Sequence, residues 1–168
     1  CIRDRNFIKI SIGIFLALAA SRFIPHPPNF TSLLALAFYV PILFGIKFIP
    51  VLILCFAVTD LFIGMHSLTI FTWGSLIVIG ILTKYFYSGI FSRILGSLLG
   101  ATIFFIITNY GVWTSSGIYS HTFEGLLLCY TLAIPFFTYS LISTLIFSSI
   151  FEGSNKIISK YRLSLLSN

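Results

Sequence analysis

Charge is what this chain has least of. Of 168 residues only 8% are charged, and four acids stand against ten lysines and arginines. A soluble domain carries about a quarter charged residues, so a water-facing surface cannot be assembled here, and lipid is expected to solvate most of the exterior. Cysteine is also scarce. Cys1, Cys55 and Cys129 show no CxxC spacing, and two of them lie inside apolar runs, so neither a zinc site nor a disulfide framework is suggested. No GxSxG, HExxH or phosphate-binding glycine loop occurs, so no enzymatic chemistry, metal or cofactor is expected. The basic residues sit at the ends of apolar runs rather than along one stripe, which argues against nucleic acid as a partner.

What the chain has is apolar length. Hydrophobic residues make up 58% of it, and the mean hydropathy is +1.06. The runs are continuous and do not alternate every second residue, which favours helices over a membrane barrel. Breakers divide them into six spans, at about residues 7–23, 31–46, 48–64, 68–87, 94–113 and 123–151. The expected fold is an all-α integral membrane bundle of six transmembrane helices over residues 1–153. A basic cytoplasmic tail, 154–168, would lie on the inner leaflet. The second span is short and contains Pro41, and the last contains Pro135, a residue that kinks helices. Ile10–Leu18 followed by Ala17-Leu18-Ala19 has the look of a signal peptide. The basic flank suits a retained first helix better.

Nine basic residues fall on one side of this arrangement: Arg3, Arg5, Lys9, Lys47, Lys84, Arg93, Lys156, Lys160 and Arg162. Arg22 alone falls on the other. The positive-inside rule then places both termini in the cytoplasm of a multi-pass protein of the bacterial inner membrane.

The polar residues gather on the opposite, outer side. Arg22, His26 and Asn29 belong to the first outer connection, and Asp60 ends span three with His66 just beyond. Asn109 and Trp113 end span five, and His121 and Glu124 open span six. Asp60 is the most informative of these, because a carboxylate in a membrane helix must face the bundle interior or a water-filled cavity. Arg22, the sole outer cation, is its natural partner. A structural ion pair and a ligand-contacting carboxylate are both open readings. Glu124 also suits a helix first turn, with Ser120 or Thr122 as N-cap. The eight residues Arg22, His26, Asn29, Asp60, Asn109, Trp113, His121 and Glu124 are the candidate small-molecule site.

Gly13, Ala17 and Ser21 recur at every fourth position of span one. Such a stripe lets another helix backbone approach closely and is the candidate partner-helix interface. Gly96 and Gly100 repeat the spacing in span five, where internal packing is expected.

Several strings carry a resemblance. They are Arg22-Phe-Ile-Pro-His-Pro-Pro-Asn-Phe-Thr31, Thr59-Asp-Leu-Phe-Ile-Gly64, Thr108-Asn-Tyr-Gly-Val-Trp113 and the stretch from Gly117 to Leu126 with Ala133-Ile-Pro-Phe-Phe137. Over about residues 7–150 the chain resembles an uncharacterised family of small bacterial membrane proteins. That family in turn resembles the substrate-binding S components of energy-coupling factor (ECF) vitamin transporters. The resemblance implies a pocket near the outer surface for a small organic micronutrient. It also implies docking through helix one onto a transmembrane coupling subunit driven by two ATPases. The S-component docking motif is typically built of alanines, whereas glycine and serine stand at two of its positions here. The competing expectation is a structural or accessory subunit of a larger membrane complex, in contact with pigment or haem.

Overall fold

The computed structural model describes residues 2–65 and 67–166, with side chains described for 6–65 and 67–160. His66 and the side chains of Arg3, Arg5 and Arg162 lie outside the described residues. Six α-helices follow one another: α1 (Ile2–Phe23), α2 (Leu33–Phe44), α3 (Ile49–Ile63), α4 (Thr69–Leu82), α5 (Ile90–Ser115) and α6 (Phe123–Leu166). Short 3₁₀ turns at Ile46–Phe48 and Thr83–Tyr85 lead into α3 and out of α4. The all-α, six-helix expectation holds.

Four segments are long and apolar enough to cross a membrane: Asn6–Phe23, Ile46–Ile63, Ile90–Ser115 and Phe123–Lys160. The other two helices are shorter than the sequence suggested. The stretch 31–46 yields only the 12 residues of α2, about 18 Å of helix against a hydrocarbon core of about 30 Å. Local chemistry accounts for both of its ends. Pro27 to Asn29 form a turn just upstream, and Gly45 terminates the helix at φ 97° with its N–H on the Pro41 carbonyl.

Short as it is, α2 forms the centre of the molecule. Every residue from Leu33 to Pro41 is buried, and α2 touches α1, α3, α4, α5 and α6. A helix that is apolar all round is a buried one, and that is the place α2 takes among the other five.

The ends of the bundle can be named by their contacts. At one end Phe7 of α1 stacks on Phe48 at 4.8 Å. There, too, Arg93 of α5 grips Glu152 of α6 with Nε and Nη2 on the two carboxylate oxygens, at 2.6 and 2.7 Å. At the other end Arg22 meets Asp60. Between them Ser97 and Ser148, both fully buried, bond across α5 and α6 at 2.9 Å, a polar contact of the kind that ties helices together in lipid.

The point between residues 153 and 154, where the basic tail is expected to begin, falls within α6. The helix is 44 residues long, about 66 Å. Nothing between Glu152 and Leu166 breaks a helix, since Gly153 is the only weak former there. The tail is therefore a continuation of α6, exposed from Gly153 to Lys160.

The small residues of α5 are spent on internal packing. A side chain at Gly96 would meet the rings of Phe38 and Phe86, each at 2.6 Å, and one at Gly100 would meet Ile79 at 3.0 Å. Gly96→Val is thus expected to destabilise the bundle by about 1–3 kcal/mol through overpacking. Gly13→Val on α1, where a side chain meets nothing within 4 Å, should stay within about 0.5 kcal/mol of the parent. Unfolding by denaturing detergent reads both. Equal losses at the two sites would contradict the packing described.

Candidate functional site

Arg22 occupies the last turn of α1, and Asp60 stands one turn before Gly64, which ends α3 at φ 126° with its N–H on the Asp60 carbonyl. Asp60 is 1% exposed, and a buried carboxylate requires a cation and hydrogen-bond donors. Arg22 Nη2 lies 2.7 Å from Oδ1, and Trp73 Nε1 of α4 donates to Oδ2 at 3.3 Å. The guanidinium is held from its other side. Nη1 donates to the Thr59 hydroxyl and, at 3.4 Å, to the Phe56 carbonyl, while the Phe56 ring lies 4.4 Å from Cζ. The expected Arg22–Asp60 pair therefore exists, and it joins α1, α3 and α4.

Beyond α1 the chain turns back into the bundle. Phe30 N–H bonds to the Pro27 carbonyl at 3.0 Å, with Pro28 second and Asn29 third in the turn, Asn29 at φ 62°. Proline at the second position and a left-handed third residue define a type II turn, and asparagine tolerates that conformation better than most side chains. The turn reaches Ser143, whose hydroxyl donates to the Asn29 carbonyl at 3.5 Å, about five and a half turns into α6. The serines Ser21 and Ser32 close its base, Oγ to Oγ at 2.7 Å. His26, exposed, has Nδ1 2.7 Å from the Pro27 carbonyl.

Two cavities of about 260 Å³ each flank this turn. One is walled by α4, α5 and α6, with Asn29, Thr72, Thr108, Asn109 and Ser140 as its polar groups and Phe105 and Phe137 among the apolar ones. The other has Arg22, His26, Asn29 and Thr31 on its wall together with Phe56. Asn29, Thr72, Phe104 and Ser140 belong to both, so the two are lobes of one cleft that meet at the Asn29 turn.

The eight residues singled out from the sequence divide accordingly. Arg22, His26, Asn29 and Asn109 line the cleft. Asp60 stands behind Arg22, off the wall. Trp113, His121 and Glu124 are not on it either. Trp113 Nε1 donates to the Ser120 carbonyl at 2.9 Å, and its ring lies 5.6 Å from that of His121. Glu124 is exposed in the first turn of α6, capped by Thr122, whose hydroxyl accepts the Gly125 N–H at 3.2 Å. These three belong to the α5–α6 connection. Gly125 lets that connection lie flat, since a side chain there would strike the Ser120 backbone.

Sequence reasoning passed over Thr72, Thr108, Ser140 and the phenylalanines Phe104, Phe105 and Phe137. Isolated hydroxyls in apolar helices bond to their own backbone, as Thr108 does to the Phe104 carbonyl at 2.8 Å, and give no pattern that marks a wall. Among the described residues no three His, Cys, Asp or Glu side chains come together as a metal site.

The small-residue stripe of α1 is divided as well. Gly13 is exposed and Ala17 half-buried, and both line an apolar groove of about 380 Å³ between α1, α2 and α6. Ser21 turns to Ser32 instead.

Length, composition and fold make this a membrane-type helical bundle with a largely apolar cleft that holds a few polar groups. The chain belongs to a family of unknown function, DUF6580, whose model matches residues 3–165. No curated protein and no solved structure matches it.

Proposed function

We propose that this protein is a substrate-binding and translocation subunit for a small organic micronutrient, of the kind the ECF S components represent, and that it does no chemistry itself. The observation that carries the reading is the two-lobed cleft. A folded-in turn, a charged residue and two amides converge there on a space walled by phenylalanine. Concave, mostly apolar sites with a few fixed polar groups are what small ligands occupy.

In this reading the protein lies in the bacterial inner membrane with both termini cytoplasmic, as the nine-to-one distribution of basic residues supports. The cleft then faces outward. The open groove beside Gly13 and Ala17 is the surface for a transmembrane coupling subunit, whose ATPases supply the energy.

Small molecules retained through purification from native membranes are expected to appear in a mass spectrum at about one per chain. A spectrum empty of them, together with a vitamin panel that leaves the unfolding temperature unmoved, would dismiss the reading.

A further inference from the structure

We propose that the cleft selects an uncharged, ring-bearing organic molecule with a carbonyl or ring-nitrogen acceptor, and that the Arg22–Asp60 pair rejects the corresponding anion. This rests on the cleft being a ligand site, as proposed above.

The inference follows from the charge on the walls. Among the described residues that line the two lobes, Arg22 and His26 alone are ionisable. An isolated arginine in such a place would select a carboxylate. Here its charge is already met. Asp60 Oδ1 lies 2.7 Å from Nη2, and the carboxylate is buried away from the cleft, with Trp73 on its other oxygen. No ligand can reach Asp60 without displacing Arg22, so the pair presents itself to the cleft as a neutral unit.

That unit still offers hydrogen bonds. A guanidinium has five N–H groups; Thr59 and the Phe56 carbonyl engage two of them, both on Nη1, and Nη2 makes the ion-pair contact to Asp60. An N–H group left over can donate to a carbonyl or a ring nitrogen in the cleft, which Arg22 lines with a side chain 13% exposed. A carboxylate in the same position would add an unbalanced negative charge among phenylalanines, where desolvation is costly and screening weak. The other polar groups are amides and hydroxyls, Asn29, Asn109, Thr72 and Ser140, which match neutral donors and acceptors. Phe104, shared by the lobes, with Phe105 and Phe137 stacked at 4.4 Å, supplies a wall for a flat ring.

The test uses matched pairs that differ only in charge: nicotinamide with nicotinate, and benzamide with benzoate. Each is dialysed to equilibrium against the protein in detergent at pH 8. Protein-free micelles serve as the control. At least one amide is expected to bind about tenfold more tightly than its carboxylate. Asp60→Asn, which leaves the Arg22 charge unmatched, is expected to reverse the order. The double variant Arg22→Gln with Asp60→Asn, neutral again, is expected to restore it.

Tighter binding of the carboxylate to the parent protein overturns the charge argument and leaves the binding reading standing. Binding of no member of either pair overturns the assigned class, and the co-purification spectrum then decides separately whether the cleft is a ligand site. Should Asp60→Asn fail to fold, the parent comparison and the double variant still decide the matter.

Discussion

Asp60→Ala is expected to cost the folded bundle about 3–5 kcal/mol, the loss found when one partner of a buried ion pair is removed. The size follows from what is left behind. With Asp60 gone, the Arg22 guanidinium keeps its contacts to Thr59 and the Phe56 carbonyl but loses the carboxylate it pairs with, and Trp73 Nε1 loses its acceptor. Three helices meet at this point, so the loss spreads across α1, α3 and α4. Arg22→Gln combined with Asp60→Asn removes both charges and should recover most of the stability, because a neutral pair carries no unpaired-charge penalty. Unfolding in mixed micelles, followed by tryptophan fluorescence, measures each variant. A double variant no better than Asp60→Ala would show that the two side chains act independently.

Glu152→Ala is the second large effect, again about 3–5 kcal/mol, and it acts at the opposite end of the bundle. Glu152 takes a two-point grip from Arg93, the geometry that makes arginine–carboxylate pairs strong. Its side chain is 8% exposed, and that of Arg93 19%. The pair closes α5 on α6, next to the Tyr39–Phe151 stack at 5.5 Å. Arg93→Lys keeps the charge but not the fork, so it should lose less than the alanine variant yet remain below the parent. The two ion pairs share no residue and join different helices, so combining Asp60→Ala with Glu152→Ala should give a nearly additive loss. A combined loss well below the sum would reveal coupling through α2.

Some of the site could be read before the fold was known. Asp60 stands out because a carboxylate inside an apolar run has to be matched, and Arg22 is the sole cation on the expected outer side. The Pro27-Pro28-Asn29 string could be placed in the first outer connection, but not as a turn that reaches Ser143. Trp113, His121 and Glu124 come from the same end, and proximity along the bundle axis suggested a common pocket. In space they hold the α5–α6 connection to itself. Axial position follows from helix length, whereas the direction a residue faces around its helix does not.

The number of helices, the apolar character of the exterior and Arg22 as the natural partner of Asp60 were legible in the sequence alone. They depend on local quantities: the length of an apolar run, the breakers that end it and the scarcity of charge. Tertiary structure alone decided that α2, the shortest helix, occupies the centre, that Arg93 pairs with Glu152, and that Thr72, Thr108, Asn109 and Ser140 share a wall. The physical reason is the solvent. In water an amphipathic stripe reveals which face of a helix is buried, but lipid is as apolar as a protein interior. The two faces of each helix then look alike in sequence until packing tells them apart.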